Sequence, residues 1–276
     1  MKKQTLALLM AIVLALLPAM SLCESKADPS RSITVLLLGI DGKEGEARSA
    51  AAIVIAALNL DTGSVRLASL DRNILVPGDG SGERLGTSVA KDGPALAIQT
   101  VNSLFGTGIS HLVSVDLSGM EKIIDAMGGV EIDVRDSEIN ILLPDGKTKA
   151  FQKAGMQTLG GAQALAYMKD HTGEEKGGSH LGRVLAACMQ KGIQMGFDPL
   201  IELVSELMAF VETNMSLMDM MEVALSALSA SISGMETKQF PVSRVEEALD
   251  KETVLRINSA AEAKALQAFL YGSSQP

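Results

Sequence analysis

Two long apolar runs near the start of the chain indicate what kind of sheet it builds. Residues 33–40 read ITVLLLGI and residues 51–60 read AAIVIAALNL, and neither run alternates between apolar and polar positions. Continuous runs of this length, rich in β-branched residues, are typical of strands buried on both faces of a sheet. A third run at 65–70 follows the turn sequence DTG at 61–63, so a hairpin is predicted there.

Helical and strand patterns alternate through the rest of the chain. Helices are predicted at 93–105, 118–129, 160–170, 182–197, 199–212, 216–233 and 259–271, and strands at 111–117, 130–134 and 237–242. The stretches 136–158 and 171–180 are polar and predicted to be loops. Ser259 and Glu262 have the spacing of a capping box for the last helix. The alternation, broken by one hairpin, predicts an α/β protein with a three-layer α-β-α arrangement and a mixed central sheet.

The N-terminal segment has the pattern of a secretory signal. Two lysines precede an apolar stretch, Leu6 to Leu17, which Pro18 interrupts. The uninterrupted stretch is shorter than the ~20 residues of a spanning helix, so residues 1–23 are predicted to be a cleaved signal peptide, with an uncleaved signal anchor as the alternative. Residues 24–32 form a polar lead-in, and residues 33–276, which contain no repeat and no long linker, are predicted to be one domain.

Composition limits the core and the partners of this protein. The chain has 276 residues, 47% of them hydrophobic, but only 3% are aromatic and tryptophan is absent. Its core must therefore consist mainly of aliphatic residues and methionine. The formal net charge is −9, which is the opposite of the basic balance expected of a nucleic-acid-binding domain. No nucleic-acid partner is predicted.

The order of several motifs is similar to that of a known family. The motifs are VLLLGID at 35–41, ARSA at 47–50, VRLASLDRNILVPG at 65–78, VDLSGMEKIIDAMGGVEIDV at 115–134, LGGAQALAYMKDH at 159–171 and LGRVLAACMQKG at 181–192. Together they resemble the LytR–CpsA–Psr (LCP) family over about residues 33–195, and the tail 240–272 is also similar. The segment 115–134 is the most specific match, although most of it is scaffold, so it identifies the fold better than the activity.

The resemblance implies an extracytoplasmic α-β-α domain with a transferase activity. Members of the family move a glycopolymer from a polyprenyl-pyrophosphate lipid to peptidoglycan or another cell-wall acceptor. The resemblance also implies a magnesium ion on the pyrophosphate, arginines that bind the phosphates, and an apolar pocket for the prenyl tail beside the membrane surface. Metal ions and guanidinium groups suit this chemistry because they neutralise charge on the bridging and leaving oxygens.

Asp41 and Arg48 match two site positions of the family at the ends of the first two strands. The resemblance implies that Asp41 is a metal ligand and takes part in catalysis, and that Arg48 binds pyrophosphate. A second acid of the family, two residues after this arginine, is replaced here by Ala50. An alanine cannot coordinate magnesium, so one expected carboxylate is missing.

Arg72 matches the arginine of a Pro-Arg-Asp motif in the family, which implies a role in pyrophosphate binding and in catalysis. The acid that follows it in the family is Asn73 here, and the preceding proline is Asp71. On a strand Asp71 would point to the opposite face from Arg72, so it is not expected to replace the acid unless the backbone turns. Arg84 stands where the family often has lysine, and it is predicted to bind pyrophosphate.

Three further cations are predicted to bind pyrophosphate. Lys169 and His171 stand where the family has an Arg-x-Arg pair, and Arg183 matches a phosphate-binding arginine. Lysine keeps the charge but lacks the two-pronged geometry of arginine, and histidine is only partly charged near neutral pH. The Arg-Gln pair that follows this arginine in the family is replaced by Ala186 and Ala187. These losses weaken the expected site.

Two principal hypotheses for function follow from the site positions that are kept and those that are replaced. The first is an LCP-type phosphotransferase that uses magnesium. The second is a catalytically impaired relative that binds a polyprenyl-phosphate lipid or a cell-wall polymer without turnover, because binding tolerates the lost groups more easily than catalysis does. An extracytoplasmic regulatory or scaffolding protein without this ligand is a third possibility.

Other candidate sites in the sequence are weaker. His171 and His180, with two glutamates between them, suggest a zinc site, but their loop is glycine-rich and no cysteine helps, so solvated loop residues are predicted instead. The glycines at 39–45 lack the spacing of a dinucleotide loop, and Ser49 has no recognisable triad partners. Methionines at 208–221 are predicted to be helix core, with a lipid groove as the alternative.

Overall fold

The computed structural model describes residues 32–41, 48–59, 62, 64–77, 82–91, 93–170, 180–195, 210–216, 218–220, 235–243, 245–249 and 252–272. The predicted signal segment 1–23, residues 199–209 of the predicted helix at 199–212, and most of the predicted helix at 216–233 lie outside these ranges. The prediction of a helix up to residue 212 is wrong at its end, because Val211–Thr213 form a short strand of the central sheet. Within the described ranges, no helix is both long enough and apolar enough to cross a membrane.

A six-stranded mixed sheet is the centre of the fold. The strands of the protein are β1 (Ser32–Asp41), β2 (Ser49–Asn59), β3 (Val65–Leu70), β4 (His111–Asp116), β5 (Val130–Val134), β6 (Gly155–Leu159), β7 (Val211–Thr213), β8 (Met235–Phe240), β9 (Val245–Leu249) and β10 (Glu252–Arg256). The central sheet has the order β7-β4-β1-β2-β3-β8. β1 pairs with β4 and β3 with β8 in parallel, whereas the other pairs are antiparallel. The predicted mixed sheet and hairpin are confirmed.

Helices cover both faces of this sheet. They are α1 (Leu85–Lys91), α2 (Gly93–Phe105), α3 (Leu117–Ala126), α4 (Gly161–Lys169), α5 (His180–Met195) and α6 (Ser259–Tyr271), with a short 3-10 helix at Asp136–Glu138. One core joins Leu36 and Leu38 of β1 to Val101 of α2 and Leu266 of α6. On the opposite face, residues of β2 and β3 pack against Leu181 of α5. The predicted three-layer α-β-α arrangement is therefore confirmed.

The prediction of a loop throughout 136–158 is wrong at both ends. The stretch begins with the 3-10 helix, and its last residues form β6, which pairs with β5 in a separate two-stranded sheet. β6 reads GMQTL, and most of its side chains stay partly or fully exposed. A strand at the rim of a fold needs few apolar residues, so its sequence does not differ from that of a loop.

The beginning of α6 also differs from the prediction. Asn258, rather than Ser259, is the N-cap, and its side chain accepts a hydrogen bond from the Ala261 N–H. Glu262 is only 2% exposed and does not close a capping box. Its carboxylate instead accepts hydrogen bonds of 2.8 Å from the backbone N–H groups of Val242 and Ser243. It ties α6 to the segment that follows β8, a contact between distant parts of the chain that spacing alone does not reveal.

Candidate active site

An apolar cavity of about 260 Å³ opens between the sheet and the helices α3, α4 and α5. Its described lining is apolar apart from three charged side chains, those of Asp41, Arg72 and Lys169. The other lining residues are Gly39, Ala51, Ala52, Leu117, Met120, Leu165, Met168 and Leu181. A largely apolar cavity with a few charged groups is the usual form of a small-molecule site. This cavity is therefore the candidate active site.

Asp41 and Lys169 meet at this cavity from two different elements. Asp41 is the last residue of β1, and Lys169 is the last residue of α4. The Nζ atom of Lys169 lies 3.5 Å from Oδ2 of Asp41. The side chains are 47% and 53% exposed, so solvent can reach both groups and the pair adds little to stability.

Arg72 reaches the cavity from a turn that follows β3. The Gly86 N–H, in the first turn of α1, donates to the carbonyl of Arg72 at 2.9 Å. A methyl group at Gly86 would lie 2.9 Å from Cβ of Arg72 and 3.0 Å from the carbonyl oxygen of Ala50. Only glycine allows this close approach, so α1 holds the backbone of Arg72 in place while the side chain stays exposed.

The residues on either side of Arg72 are engaged in the turn itself. The backbone turns at 72–73, and the carboxylate of Asp71 accepts a hydrogen bond of 2.8 Å from the Asn73 N–H. This local bond is typical of an aspartate that stabilises its own turn. Asp71 is not among the described residues that line the cavity, so this carboxylate does not replace the acid that Asn73 lacks.

Arg48 and Arg84 do not join Asp41 at this cavity. Arg48 lines a different space of about 40 Å³, together with Leu38 and Ile40 on the α1 and α2 side of the sheet. Arg84 is half-buried just before α1, where its carbonyl accepts hydrogen bonds from the first turn of that helix. Neither arginine lines the larger cavity. Their predicted role in pyrophosphate binding is untested, and His171 lies outside the described residues.

Arg183 also does not line the cavity, because its guanidinium is bound to a buried carboxylate. Nη1 of Arg183 lies 3.0 Å from Oε1 of Glu138, which is 0% exposed. Nη1 also donates to the hydroxyl of Tyr167, and Nη2 donates to the carbonyl of Asp133. Arg183 and Arg72 therefore do not line this cavity together, since the acid partner of Arg183 lies in the connection between β5 and β6. The predicted role of Arg183 in pyrophosphate binding is untested.

His180 belongs to the same buried cluster, so the prediction that it is a solvated loop residue is wrong. It begins α5 and is 0% exposed. Its Nε2 lies 3.0 Å from Oε1 of Glu138 and its Nδ1 lies 2.5 Å from the carbonyl oxygen of Asp170. The ring also stacks on Tyr167, with the centroids 4.2 Å apart. Glu138, Tyr167, His180 and Arg183 are called the Glu138 cluster below.

The Glu138 cluster keeps its carboxylate charged. Burial raises the pKa of Glu138, but the hydrogen bond from the Arg135 N–H, the charge of Arg183 and the hydrogen bonds from Tyr167 and His180 outweigh burial, and the net pKa is lowered. Burial is also the main reason why the pKa of the Tyr167 hydroxyl is raised. A carbonyl only accepts hydrogen bonds, so the Nδ1 of His180 donates to the carbonyl of Asp170.

The donor set at the cavity does not fit a divalent ion held by the protein. Asp41 is the one carboxylate among the described residues that line the cavity. Ala50, where the family has an acid, is 0% exposed in the core. Across the described ranges, no three His, Cys, Asp or Glu side chains are grouped as metal ligands. The magnesium expected from the resemblance is therefore untested, and the residues described here supply only one of its ligands.

Sequence reasoning missed both the Glu138 cluster and most of the cavity wall. Glu138 itself carries no signal of burial, although apolar residues follow it at Ile139 and at 141–143. The cavity wall has a weak signal, because Leu117 and Met120, and likewise Leu165 and Met168, are apolar pairs spaced three apart on a helix. Such pairs share a helix face, but the pattern does not distinguish a cavity wall from ordinary core.

Comparison with known proteins agrees with this fold. A family model described as the LytR_cpsA_psr family matches residues 19–269. The polyisoprenyl-teichoic acid–peptidoglycan teichoic acid transferase TagU of Enterococcus faecalis is 30% identical over 211 residues, which are 71% of this chain and 66% of that protein. The corresponding transferase TagT of Bacillus subtilis is 26% identical over 225 residues, which are 77% of this chain and 69% of that protein.

The solved structure of B. subtilis TagT shows the same fold. It is 22% identical, has a TM-score of 0.68, and the alignment covers 91% of this chain and 96% of the TagT chain. The family match extends over most of the chain and includes the strands, helices and turn that form the cavity. The chain belongs to the LytR_cpsA_psr family.

Proposed function

We propose that this protein transfers a glycopolymer from a polyprenyl-pyrophosphate carrier to a cell-wall acceptor such as peptidoglycan. The observation that carries the proposal is the convergence of Arg72 and Lys169 at the mouth of an apolar cavity. The names of the two relatives supply the class of donor and acceptor, since both are polyisoprenyl-teichoic acid–peptidoglycan transferases. An apolar cavity suits a prenyl tail, and two cations at its mouth suit a diphosphate.

The reaction divides between these groups in a simple way. A hydroxyl of the acceptor attacks the phosphorus that carries the glycopolymer, and a new P–O bond forms as the bridging P–O–P bond breaks. Polyprenyl phosphate leaves with the electron pair, and Arg72 and Lys169 neutralise the charge that develops on it. Asp41 is the carboxylate in place to accept the proton of the attacking hydroxyl.

The site of action follows from the acceptor. Peptidoglycan lies outside the cytoplasmic membrane, so the transfer takes place on the extracytoplasmic face. Residues 1–23 would direct the chain there, and cleavage would release it whereas retention would anchor it. Retention of the segment would keep the cavity beside a lipid donor at the membrane surface.

A binding protein without turnover is the second candidate. Ala50, Ala186 and Ala187 replace groups that the family uses, and Arg183 is engaged by Glu138 instead of lining the cavity. Each change removes charge stabilisation from a transition state, where such groups count most. Lipid binding depends on the cavity wall as well, so it is less affected.

Phosphate release and lipid binding, measured on the same preparation, separate these candidates. The full chain in detergent is incubated with undecaprenyl or geranylgeranyl pyrophosphate, with and without magnesium, and then with a lipid-linked glycopolymer and peptidoglycan. Turnover supports the transferase, and binding without turnover supports the second candidate. Arg72→Ala should abolish binding. Arg66→Ala should not, because Arg66 lies on β3 away from the cavity and is paired with Glu236. Equal binding by both variants would refute the assigned site.

A further inference from the structure

The ammonium of Lys169 lies where a metal-dependent site would need an ion. Its Nζ is 3.5 Å from Oδ2 of Asp41, the carboxylate that the family resemblance makes a metal ligand. Both side chains line the same cavity. A magnesium ion on Asp41 would sit about 2.0–2.1 Å from its oxygen, which places a dication close to an ammonium. The two cations would repel each other in this partly enclosed space.

The described residues around Asp41 do not compensate for this repulsion. Ala50 has no donor atom and is fully buried, and Asp71 is not part of the described lining. Among the described lining residues, a divalent ion at Asp41 would therefore have one carboxylate and a neighbouring cation. Magnesium is usually held through one or two carboxylates together with phosphate oxygens. The described lining offers the minimum of one, and this carboxylate is already paired with Lys169.

We propose that Lys169 takes the place of the divalent ion, so that this cavity binds a prenyl diphosphate without a metal. A diphosphate would take the ammonium of Lys169 from Asp41, and Arg72 would contact the same headgroup from the turn after β3. Lysine carries a compact charge with three donors and needs no fixed geometry. This inference rests on the proposed function, because it concerns how the same headgroup is held.

In this arrangement, removal of the Asp41 carboxylate has the opposite effect on diphosphate affinity from removal of a metal ligand. As a ligand, its charge attracts the ion that binds the phosphates, and its removal weakens binding. As the resting partner of Lys169, it competes with the diphosphate and repels it, so its removal strengthens binding. The sign of the effect of one substitution therefore distinguishes the two arrangements.

The experiment measures the affinity of the full chain in detergent for geranylgeranyl diphosphate, in excess EDTA and in excess MgCl₂. We expect the wild-type dissociation constant to differ by less than about twofold between the two buffers. Asp41→Asn should bind roughly threefold to tenfold tighter in EDTA, which corresponds to at most about 1.4 kcal/mol. Lys169→Met, which keeps an unbranched side chain, should bind at least about tenfold weaker in both buffers, as expected for a charged hydrogen bond.

Matched controls separate a local effect from net charge and folding. Glu131→Gln removes one negative charge from an exposed position on β5, and Lys149→Met removes one positive charge from an exposed position that bonds to Asn140. Neither should change the affinity by more than about twofold. Asp41 and Lys169 are half-exposed, and thermal unfolding of each variant checks that it remains folded.

Three results would overturn the inference. Binding by the wild type only in MgCl₂, lost with Asp41→Asn, would show a metal-dependent site and leave the proposed function intact. Absence of binding in both buffers would refute the proposed function and the inference with it. Metal-independent binding that survives Lys169→Met would reject the role of Lys169 while the cavity remains the lipid site.

Discussion

Nε2 of His180 lies 3.0 Å from Oε1 of Glu138, and both side chains are 0% exposed. This contact joins the start of α5 to the connection between β5 and β6. The other ring nitrogen of His180 bonds the carbonyl of Asp170, the residue next to Lys169. A buried pair of His180 contacts therefore connects Glu138 to the end of α4, from which Lys169 extends to the cavity.

Glu138→Gln should destabilise the fold strongly. The amide that replaces the carboxylate cannot neutralise Arg183 and cannot accept every hydrogen bond now made to the two oxygens. Removing one member of a buried ionic contact costs about 3 kcal/mol or more. Urea denaturation should show this loss in the free energy of unfolding. The exposed Glu131→Gln serves as the control and should change the value by less than about 0.5 kcal/mol; equal losses in both variants would contradict this role of Glu138.

The same carboxylate should make stability depend on pH in the acid range. The pKa of Glu138 is lowered in the folded state from a usual value of 4.5, so the unfolded chain binds this proton more tightly. Its contribution to stability is fully present above about pH 4.5 and is lost as the pH falls through the folded-state pKa. Unfolding measured from pH 6 to pH 3 should give a shallower decline for Glu138→Gln than for the wild type. A decline of equal slope in both proteins would be inconsistent with the lowered pKa.

Gly86→Ala should displace Arg72 from the cavity. The added methyl group would lie 2.9 Å from Cβ of Arg72 and 3.3 Å from its carbonyl oxygen, and neither atom is the end of a flexible side chain. The turn must therefore move, and binding of geranylgeranyl diphosphate should weaken at least about tenfold, with a stability loss of about 1–3 kcal/mol.

Gly108→Ala is the matched control for this substitution. A methyl group at Gly108 would meet no atom within 4 Å, so both affinity and stability should stay close to those of the wild type. Isothermal titration and thermal unfolding of the two variants test the expectation. Unchanged lipid affinity in Gly86→Ala would show that the position of this turn does not determine binding.

Ala52→Phe should separate recognition of the lipid tail from recognition of the headgroup. Ala52 lines the apolar part of the cavity, and a phenyl ring there would occupy space that a prenyl chain needs. Affinity for geranylgeranyl diphosphate should fall at least about tenfold, since several buried methylene groups lose their contacts, each contributing about 0.8 kcal/mol. Affinity for inorganic pyrophosphate should change less than about twofold. Ala126→Phe, at the exposed end of α3, controls for added apolar surface, and a similar loss for both ligands would contradict the division.

Most strands and helices of the central layers could be predicted because burial leaves continuous apolar runs or helically spaced apolar residues in the sequence. β1 and β2 were predicted as strands buried on both faces, and the core residues on the two sides of β2 confirm this. β6 and β9, at the rim, left no such record, because partly exposed strands tolerate polar residues. Glu262 has the spacing of a capping residue but accepts its hydrogen bonds from a distant segment instead. Spacing along the chain does not show which of these two partners the carboxylate will bind.

The sequence by itself determined the fold class, the family and the identity of the cations, because apolar periodicity and motif order are local properties of the chain. Only the tertiary structure decided which of those cations share a cavity. Arg72 and Lys169 line the same cavity as Asp41, whereas Arg183 meets Glu138 and Arg48 faces the other side of the sheet. The physical reason is that a charged side chain binds the opposite charge that lies nearest to it in space. The buried carboxylate of Glu138 lies close to Arg183 in the fold but far from it in the sequence.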